Sequence, residues 1–292
     1  MPSLSELRRK IKGVTSTRQI TKAMKMVAGA RFARAQRQMV EARSFANGLE
    51  KMLGEFLQIS KPTANVSRLI AVEGSRGAAA QRIGLVAVAG DKGLCGDFNN
   101  KVMRETDRLI RAHQPQLRVM FVIGRKLCGH FRSLSFPAYK EYIGVFSRLE
   151  FGAAERIGQD ILQQYLELEL TEVQVTSGSF QSMIKQQIKS TRLLPVAVSV
   201  PGPVACRDML YEPVDEDELL RSFVPFYIKA RLYALLCESF TAELAARMWA
   251  MDNATNNADT LIDKIRLEMN KVRQAVITRE IAEIIGTNEV VK

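Results

Sequence analysis

The sequence predicts an α/β protein whose N- and C-terminal segments form a long antiparallel two-helix coiled coil, with a compact α/β domain inserted between them. Three observations carry that prediction. The 60 residues 226–285 contain neither Gly nor Pro, and no proline interrupts the chain between Pro2 and Pro62. Residues 83–200, by contrast, alternate β-branched runs with amphipathic segments, the pattern of βαβ units and a mostly parallel sheet.

The C-terminal run is bracketed by breakers, Pro225 before it and Gly286 after it. A continuous helix there would extend roughly 90 Å, longer than a domain of this size is wide. Leu244, Met248, Met251, Thr255, Ala258, Ile262, Ile265, Met269, Val272 and Val276 recur at spacings of four and three, the seam of a left-handed coiled coil. The N-terminal run mirrors it with Leu4, Leu7, Ile11 and Val14, then Ile20, Met24 and Val27, then Met39, Ala42, Ala46, Leu49, Leu53 and Phe56. Two segments of matched length, each with one apolar stripe, can cover each other. Because the intervening domain returns the chain, they are expected to pair antiparallel. Gly13 and Gly29 each cost about 1 kcal/mol against Ala in a helix interior, and both permit close helix approach. The seam is thin, since Thr21, Ala28, Thr255 and Ala258 interrupt it. A buried Ile265 contributes about 1.5–3 kcal/mol and an Ala far less. Other faces, such as residues 253–257, are left for other contacts.

The expected boundaries are 1–60 for the N-terminal coiled-coil helix, 61–82 for a linker, 83–200 for the α/β domain, 201–218 for a second linker and 219–292 for the C-terminal coiled-coil helix. Inside the domain, strands are expected at 83–89, 117–123, 139–145, 173–180 and 195–200, and helices at 99–113, 125–134 and 151–170, a Rossmann-like order. The linkers carry Pro62, Gly74, Gly77, Pro201, Gly202, Pro203 and Pro213. The acidic run 215–218 reads as the start of the C-terminal helix, where acids meet the positive end of the helix dipole. Gly90-Asp91-Lys92-Gly93-Leu94-Cys95-Gly96 follows a strand and precedes a helix, as a phosphate-binding loop does. It has neither the Lys-Ser/Thr pair of a P-loop nor the G-x-G-x-x-G spacing. A tight turn needing positive φ accounts for its glycines without a ligand.

Hydrophobic residues make up 47% of the chain and charged residues 25%, ordinary values for globular protein. No stretch approaches the roughly 20 apolar residues of a membrane span. Residues 1–12 are followed by no apolar segment, so a signal peptide is not expected. The net charge of +11 is uneven, with 12 Lys/Arg against 4 acids in residues 1–60, an excess of +8. Such a stripe asks for an acidic partner: nucleic acid, anionic lipid or acidic protein loops. Few aromatics lie along it, which speaks against the base stacking of a nucleic-acid binder. Cys95, Cys128, Cys206 and Cys237 form no Cys-x-x-Cys pair, and His113 and His130 are the only histidines. No metal site, cofactor or catalytic triad is therefore expected, and the thiols read as small buried groups.

Residues 16–28 (Ser-Thr-Arg-Gln-Ile-Thr-Lys-Ala-Met-Lys-Met-Val-Ala) resemble the N-terminal signature of the gamma subunit of F-type ATP synthase. Residues 245–258 (Ala-Ala-Arg-Met-Trp-Ala-Met-Asp-Asn-Ala-Thr-Asn-Asn-Ala) resemble its C-terminal signature, continued by residues 270–280. Residues 91–99 and Leu210-Tyr211-Glu212-Pro213 are similar to the family's internal landmarks. The match runs through the whole chain in order. Three departures stand out: Ala89-Gly90 replaces a commoner Thr-Ser, Trp249 is bulky at a position usually smaller, and Gly29 softens a run usually rich in alanine.

The resemblance implies a central rotor shaft without a catalytic site of its own. Its expected partners are the hexameric ring of alpha and beta subunits, the epsilon subunit and the ring of c subunits. Nucleic acid is not among them, and membrane contact runs only through the c-ring. The coupling ion it implies is a proton, with sodium the alternative. By position, Arg273, Gln274 and Thr278, with Met24 and Lys25 on the facing helix, correspond to residues that meet the acidic catch loop of beta. Tyr211 and Glu212 correspond to the foot on the c-ring. Met248, Met251, Ile262, Ile265, Met269 and Val272 belong to the coiled-coil seam. The expected location is the cytoplasmic face of a bacterial plasma membrane, the alternative being the matrix face of the mitochondrial inner membrane.

Overall fold

A computed structural model describes residues 3–59, 68–70, 81–134, 139–183, 185–197 and 216–290. Two long helices, α1 (Leu4–Ile59) and α5 (Glu216–Val290), bracket the rest of the fold. Between them come β1 (Ile83–Val88), α2 (Phe98–His113), β2 (Leu117–Ile123), α3 (Arg125–Ser133), β3 (Lys140–Tyr142), a 3-10 turn at Val145–Ser147, α4 (Phe151–Glu167), β4 (Glu172–Phe180) and β5 (Gln186–Leu194). The chain divides into two compact units: Met1–Gly29 with Arg247–Lys292, and Ala30–Ala246.

The larger unit holds a five-stranded sheet of order β3-β2-β1-β4-β5. β1 runs parallel to β2 and β4, β2 parallel to β3, and only β5 is antiparallel to its neighbour. All six residues of β1 are buried, as a central strand covered on both faces requires. Alternate strand residues point to opposite faces and feed two cores. Val86, Val88, Phe121 and Ile123 pack with Ile157 and Ile161 of α4, Leu53 of α1, and Tyr227 and Ile228 of α5. Leu85, Ala87, Met120 and Val122 pack with Val102 and Leu109 of α2, Leu127 and Phe131 of α3, and Ala242 and Ala246 of α5. The insert is thus built around segments of both long helices.

Two strand expectations are corrected. The last strand is not at 195–200: Val196 makes only an isolated bridge to Ile70, and residues 198–200 lie outside the described residues. Its place is taken by Gln186–Leu194, a strand at the sheet edge whose first four residues alternate between partly buried and exposed and whose last two, Leu193 and Leu194, are buried. An edge strand needs apolar side chains on one face only and tolerates charge on the other, so no apolar run announced it. The third strand is cut to three residues, because Gly144 at φ +83 turns the chain into the Val145–Ser147 turn. Pro225 and Gly286, the breakers on either side of the run 226–285, both lie inside the C-terminal helix. An interior proline costs about 3 kcal/mol, and burial of the neighbouring Val224, Tyr227 and Ile228 holds the helix together there.

The turn after β1 also differs from its expected basis. Of its three glycines only Gly96 has positive φ, while Leu94 itself sits at +62. Asn99 holds the turn: its Oδ1 accepts from the Gly90 amide at 3.0 Å and its Nδ2 donates to the Lys92 carbonyl at 3.1 Å. Asp91 Oδ1 accepts from the amides of Arg125 and Gly144, at 3.0 and 3.1 Å, tying the turn to the start of α3 and the end of β3.

Gly124 opens α3 at φ +105, and a Cβ there would collide with the carbonyl oxygen of Ala89. Gly124→Ala is expected to cost about 2 kcal/mol or more, read as a fall in the urea midpoint at constant m. Burial pushes the thiols of Cys128 and Cys237 up to about 11 and about 12. At pH 8 only about a thousandth or less of either is thiolate. A thiol reagent is therefore expected to label these two cysteines only when the chain unfolds, which mass spectrometry of labelled native and denatured protein checks.

Candidate functional site

The smaller unit is an antiparallel helix pair whose register is set by three polar rungs. Arg18 Nη1 lies 2.8 Å from Asp259 Oδ1, Thr21 Oγ1 2.8 Å from Thr255 Oγ1, and Lys25 Nζ 2.5 Å from Asp252 Oδ1. A step of seven residues forward on α1 matches seven back on α5, as two antiparallel heptad helices require. The ladder continues at Gly29, where an added Cβ would sit 3.4 Å from Met248 Sδ. The Thr rung is a small network. Thr21 Oγ1 lies 3.0 Å from the Arg18 carbonyl and Thr255 Oγ1 2.8 Å from the Met251 carbonyl. Two hydroxyl protons serve three contacts, so one hydroxyl donates to the other and the second donates to its own helix.

Around the rungs, Leu7, Thr21 and Ala28 of α1 and Met251, Ala258, Ile262 and Ile265 of α5 are buried. Met24, Met248, Thr255, Met269 and Val272 are half-buried. Along α1 the inward positions are Leu7, Ile11, Val14, Arg18, Thr21, Lys25 and Ala28, followed in the larger unit by Phe32, Ala35, Met39, Ala42, Ala46, Leu49 and Leu53. The alternation of fours and threes never slips. Ile20 and Val27, expected in the seam, are therefore outside it, 60% and 62% exposed. Turning them inward would rotate Leu7 and Met39 away by about 100°, so polar Thr21 and small Ala28 take the seam positions instead. Val276 is 40% exposed. The register sets Leu4, where α1 begins, near Val272 and Arg273, so no turn of α1 reaches Val276. Gly13 makes no close approach either, since nothing lies within 4 Å of a Cβ built there.

The expected partner-facing residues are dispersed. Lys25 is engaged by Asp252 within the helix pair. Arg273, Gln274 and Thr278 are all exposed on α5, and the Thr278 hydroxyl donates to the Gln274 carbonyl at 2.9 Å. Tyr211 and Glu212 lie outside the described residues. Arg8, Arg9, Lys10, Lys12 and Lys22 are exposed and take no carboxylate partner among the described residues. Sequence reasoning missed the two ion-paired rungs, although a signal was present: Arg18 and Lys25 are seven apart, as are Asp252 and Asp259. In the larger unit the same two helices are joined by Arg43–Glu238 at 3.2 Å and Arg231–Glu50 at 3.0 Å. Gln38 Nε2 donates to the Tyr233 hydroxyl at 2.6 Å.

Among the described residues no group of three or more His, Cys, Asp or Glu side chains gathers as metal ligands. None of their helices is long and apolar enough to cross a membrane. The depression of about 420 Å³ lined by Arg82, Arg118, Glu167, Leu168 and Glu169 is open, and its Arg82 is paired with Glu169 at 2.8 Å.

A family model described as ATP synthase matches residues 3–291. The chain is 34% identical to the ATP synthase gamma chain of Chlorobium phaeobacteroides over 297 residues, covering all of both chains. It is 35% identical to that of Chlorobaculum parvum over 298 residues, again covering all of both. It is similar to a chain in the mitochondrial ATP synthase of Euglena gracilis with TM-score 0.67 and 17% identity, covering 99% of this chain and 94% of that one. A chain from the central stalk and c-ring of the Tetrahymena thermophila mitochondrial ATP synthase gives TM-score 0.61 and 24% identity, covering 80% of this chain and 99% of that one. The structural likenesses bear on the fold: long terminal helices with an α/β insert.

The Thr rung makes a prediction of sign. Thr21→Val or Thr255→Val alone strands a partly buried hydroxyl and is expected to cost about 1 kcal/mol. The double valine variant is expected to cost less than the two single costs together, in a double-mutant cycle read by chemical denaturation.

Proposed function

The chain belongs to the ATP synthase gamma chain family, and on that premise we propose that it is the central stalk of a proton-translocating F-type ATP synthase, with sodium the alternative ion. In this reading residues 1–60 and 219–292 form a shaft inside the alpha/beta hexamer. The 83–200 domain, reached through linkers 61–82 and 201–218, sits with the epsilon subunit on the c-ring. Ion flow turns the c-ring and the shaft with it, and nucleotide chemistry takes place on beta; this chain supplies no catalytic residue. The cytoplasmic face of a bacterial plasma membrane is the proposed location, and the matrix face of the mitochondrial inner membrane the alternative.

The observation that supports this reading is the helix pair of the smaller unit. Its seam is closed from within by Thr21–Thr255 and the flanking ion pairs, which leaves Ile20, Met26 and Val27 exposed beside Lys22, an exposed cation with no carboxylate partner among the described residues. An apolar and basic outer face of this kind suits acidic protein loops. Arg273 can offer a two-pronged guanidinium to a carboxylate, with Gln274 and Thr278 one turn apart on the same helix face. Met24 and Lys25 meet the same region of beta, and Tyr211 and Glu212 meet the c-subunit loops.

A shaft changes three otherwise identical sites only by binding their conformations with different free energies. Linkage is reciprocal, so nucleotide occupancy also biases the angle of the shaft. A single mechanism then carries torque in both directions.

Co-expression with alpha and beta subunits tests the reading: one copy per hexamer should co-purify, and a chain that never joins the ring contradicts it. Removing the last turns after Arg273 is expected to weaken coupled ATP synthesis more than assembly. An unchanged coupled rate in that variant counts against torque borne by these contacts.

A further inference from the structure

We propose that Glu243 is the resident ligand of the sheet's own binding crevice, its side-chain carboxyl group taking the place at the Gly90 turn that a diffusible anion takes in related sheets. Doubly wound sheets bind ligands outside the carboxyl ends of their strands, where the strand order reverses. Here that point lies between β1 and β4: the chain leaves β1 for β2 on one side, and β4 pairs on the other. The glycine-bearing turn 90–96 follows β1 at this point. Gly178 stands two residues past the last β4 residue that pairs with β1.

One turn of α5 fills the crevice. Ser239 Oγ accepts from the Gly178 amide at 3.3 Å, and a Cβ at Gly178 would lie 3.2 Å from that of Ala242. Ser239, Ala242 and Glu243 share one helix face by their spacing of three and four. Glu243 is 3% exposed. Its Oε1 lies 2.5 Å, and its Cδ 2.9 Å, from where a Cβ on Gly90 would be. Only a glycine lets the carboxyl group rest against the turn. The requirement is for space, since Gly90 is not among the residues at positive φ. The turn is also preformed without any diffusible ligand, because Asn99 already satisfies the Gly90 amide and the Lys92 carbonyl. A loop that resembles a phosphate cradle in sequence is thus closed at Gly90 by a side chain from about 150 residues later, which accounts for that glycine without a diffusible ligand.

The test is a double-mutant cycle on the full-length chain, read by thermal midpoint. Gly90→Ala is expected to lower the midpoint by roughly 4 °C or more in the parent. It should cost less than half of that in a Glu243→Ala background, where the space is vacant, and an intermediate amount with Glu243→Asp. Glu243→Gln, which keeps the shape, should leave the cost of Gly90→Ala unchanged. Acetate at about 50 mM, the excised group as a free ion, should raise the midpoint of Glu243→Ala by at least ~1 °C over the same concentration of chloride. It should do so neither for the parent nor for the Gly90→Ala/Glu243→Ala double variant. An equal cost of Gly90→Ala in the Glu, Asp and Ala backgrounds overturns the proposed seat. So does acetate that stabilises every variant alike or none. Should Glu243→Ala not fold, the Glu243→Asp arm decides alone.

Discussion

The register of α1 against α5 in the smaller unit is the constraint on which everything else hangs, and three polar rungs choose it. Apolar burial supplies most of the adhesion: each seam residue such as Ile262 or Ile265 contributes about 1.5–3 kcal/mol. Apolar contact is nearly indifferent to a slip of one heptad, because the next repeat presents much the same stripe. The Thr21–Thr255 hydrogen bond is not indifferent, since a slip strands both hydroxyls. The ion pairs Arg18–Asp259 and Lys25–Asp252 lie half in solvent and contribute about 0.2–1 kcal/mol each. Their value is in selecting a pairing, the use best attested for polar groups in coiled-coil seams.

The same inward rhythm decides what remains outside. Because the seam consumes Leu7, Ile11, Val14, Thr21 and Ala28, the apolar residues Ile20, Met26 and Val27 are left in solvent beside Lys22, which takes no carboxylate partner among the described residues. A helix pair that needed only to be stable would exchange these residues, putting Ile or Val into the seam and Thr on the surface. The inversion, with polar and small residues inside and large apolar ones outside, costs stability. It is intelligible if the outer face answers to another molecule, as the proposed shaft role requires. The larger unit follows the ordinary logic, with β1 wholly buried and α5 seated across the carboxyl ends of β1 and β4.

Much of this was legible in the sequence, where a periodic signal is long. The absence of breakers and the three-four repeat marked both long helices, and β-branched runs marked β1, β2 and β4 close to their observed bounds. Several of the failures share a cause: a local rule met a nonlocal constraint. Ile20 and Val27 looked like seam because they are apolar, yet phase continuity from Leu7 to Leu53 excluded them. Pro225 is a helix breaker by local rule, and tertiary burial on either side carries the helix through it. β5 was invisible because an edge strand needs no apolar run. The glycines of turn 90–96 were taken as conformational, whereas Gly90 answers to Glu243, a residue no local window contains. Of the expected partner-facing residues, Met24, Lys25, Arg273, Gln274 and Thr278 could be placed on their helices. Contacts with other chains depend on surfaces that this sequence does not encode.

The central claim is that Thr21 and Thr255 face each other at one level of an antiparallel seam while Ile20, one residue away, faces out. Oxidative cross-linking of paired cysteine variants measures this directly. Thr21→Cys with Thr255→Cys is predicted to form an intramolecular disulfide rapidly and to completion. Ile20→Cys with Thr255→Cys is predicted to stay reduced under the same conditions. Equal cross-linking of the two pairs, or a disulfide only in the second, contradicts the register.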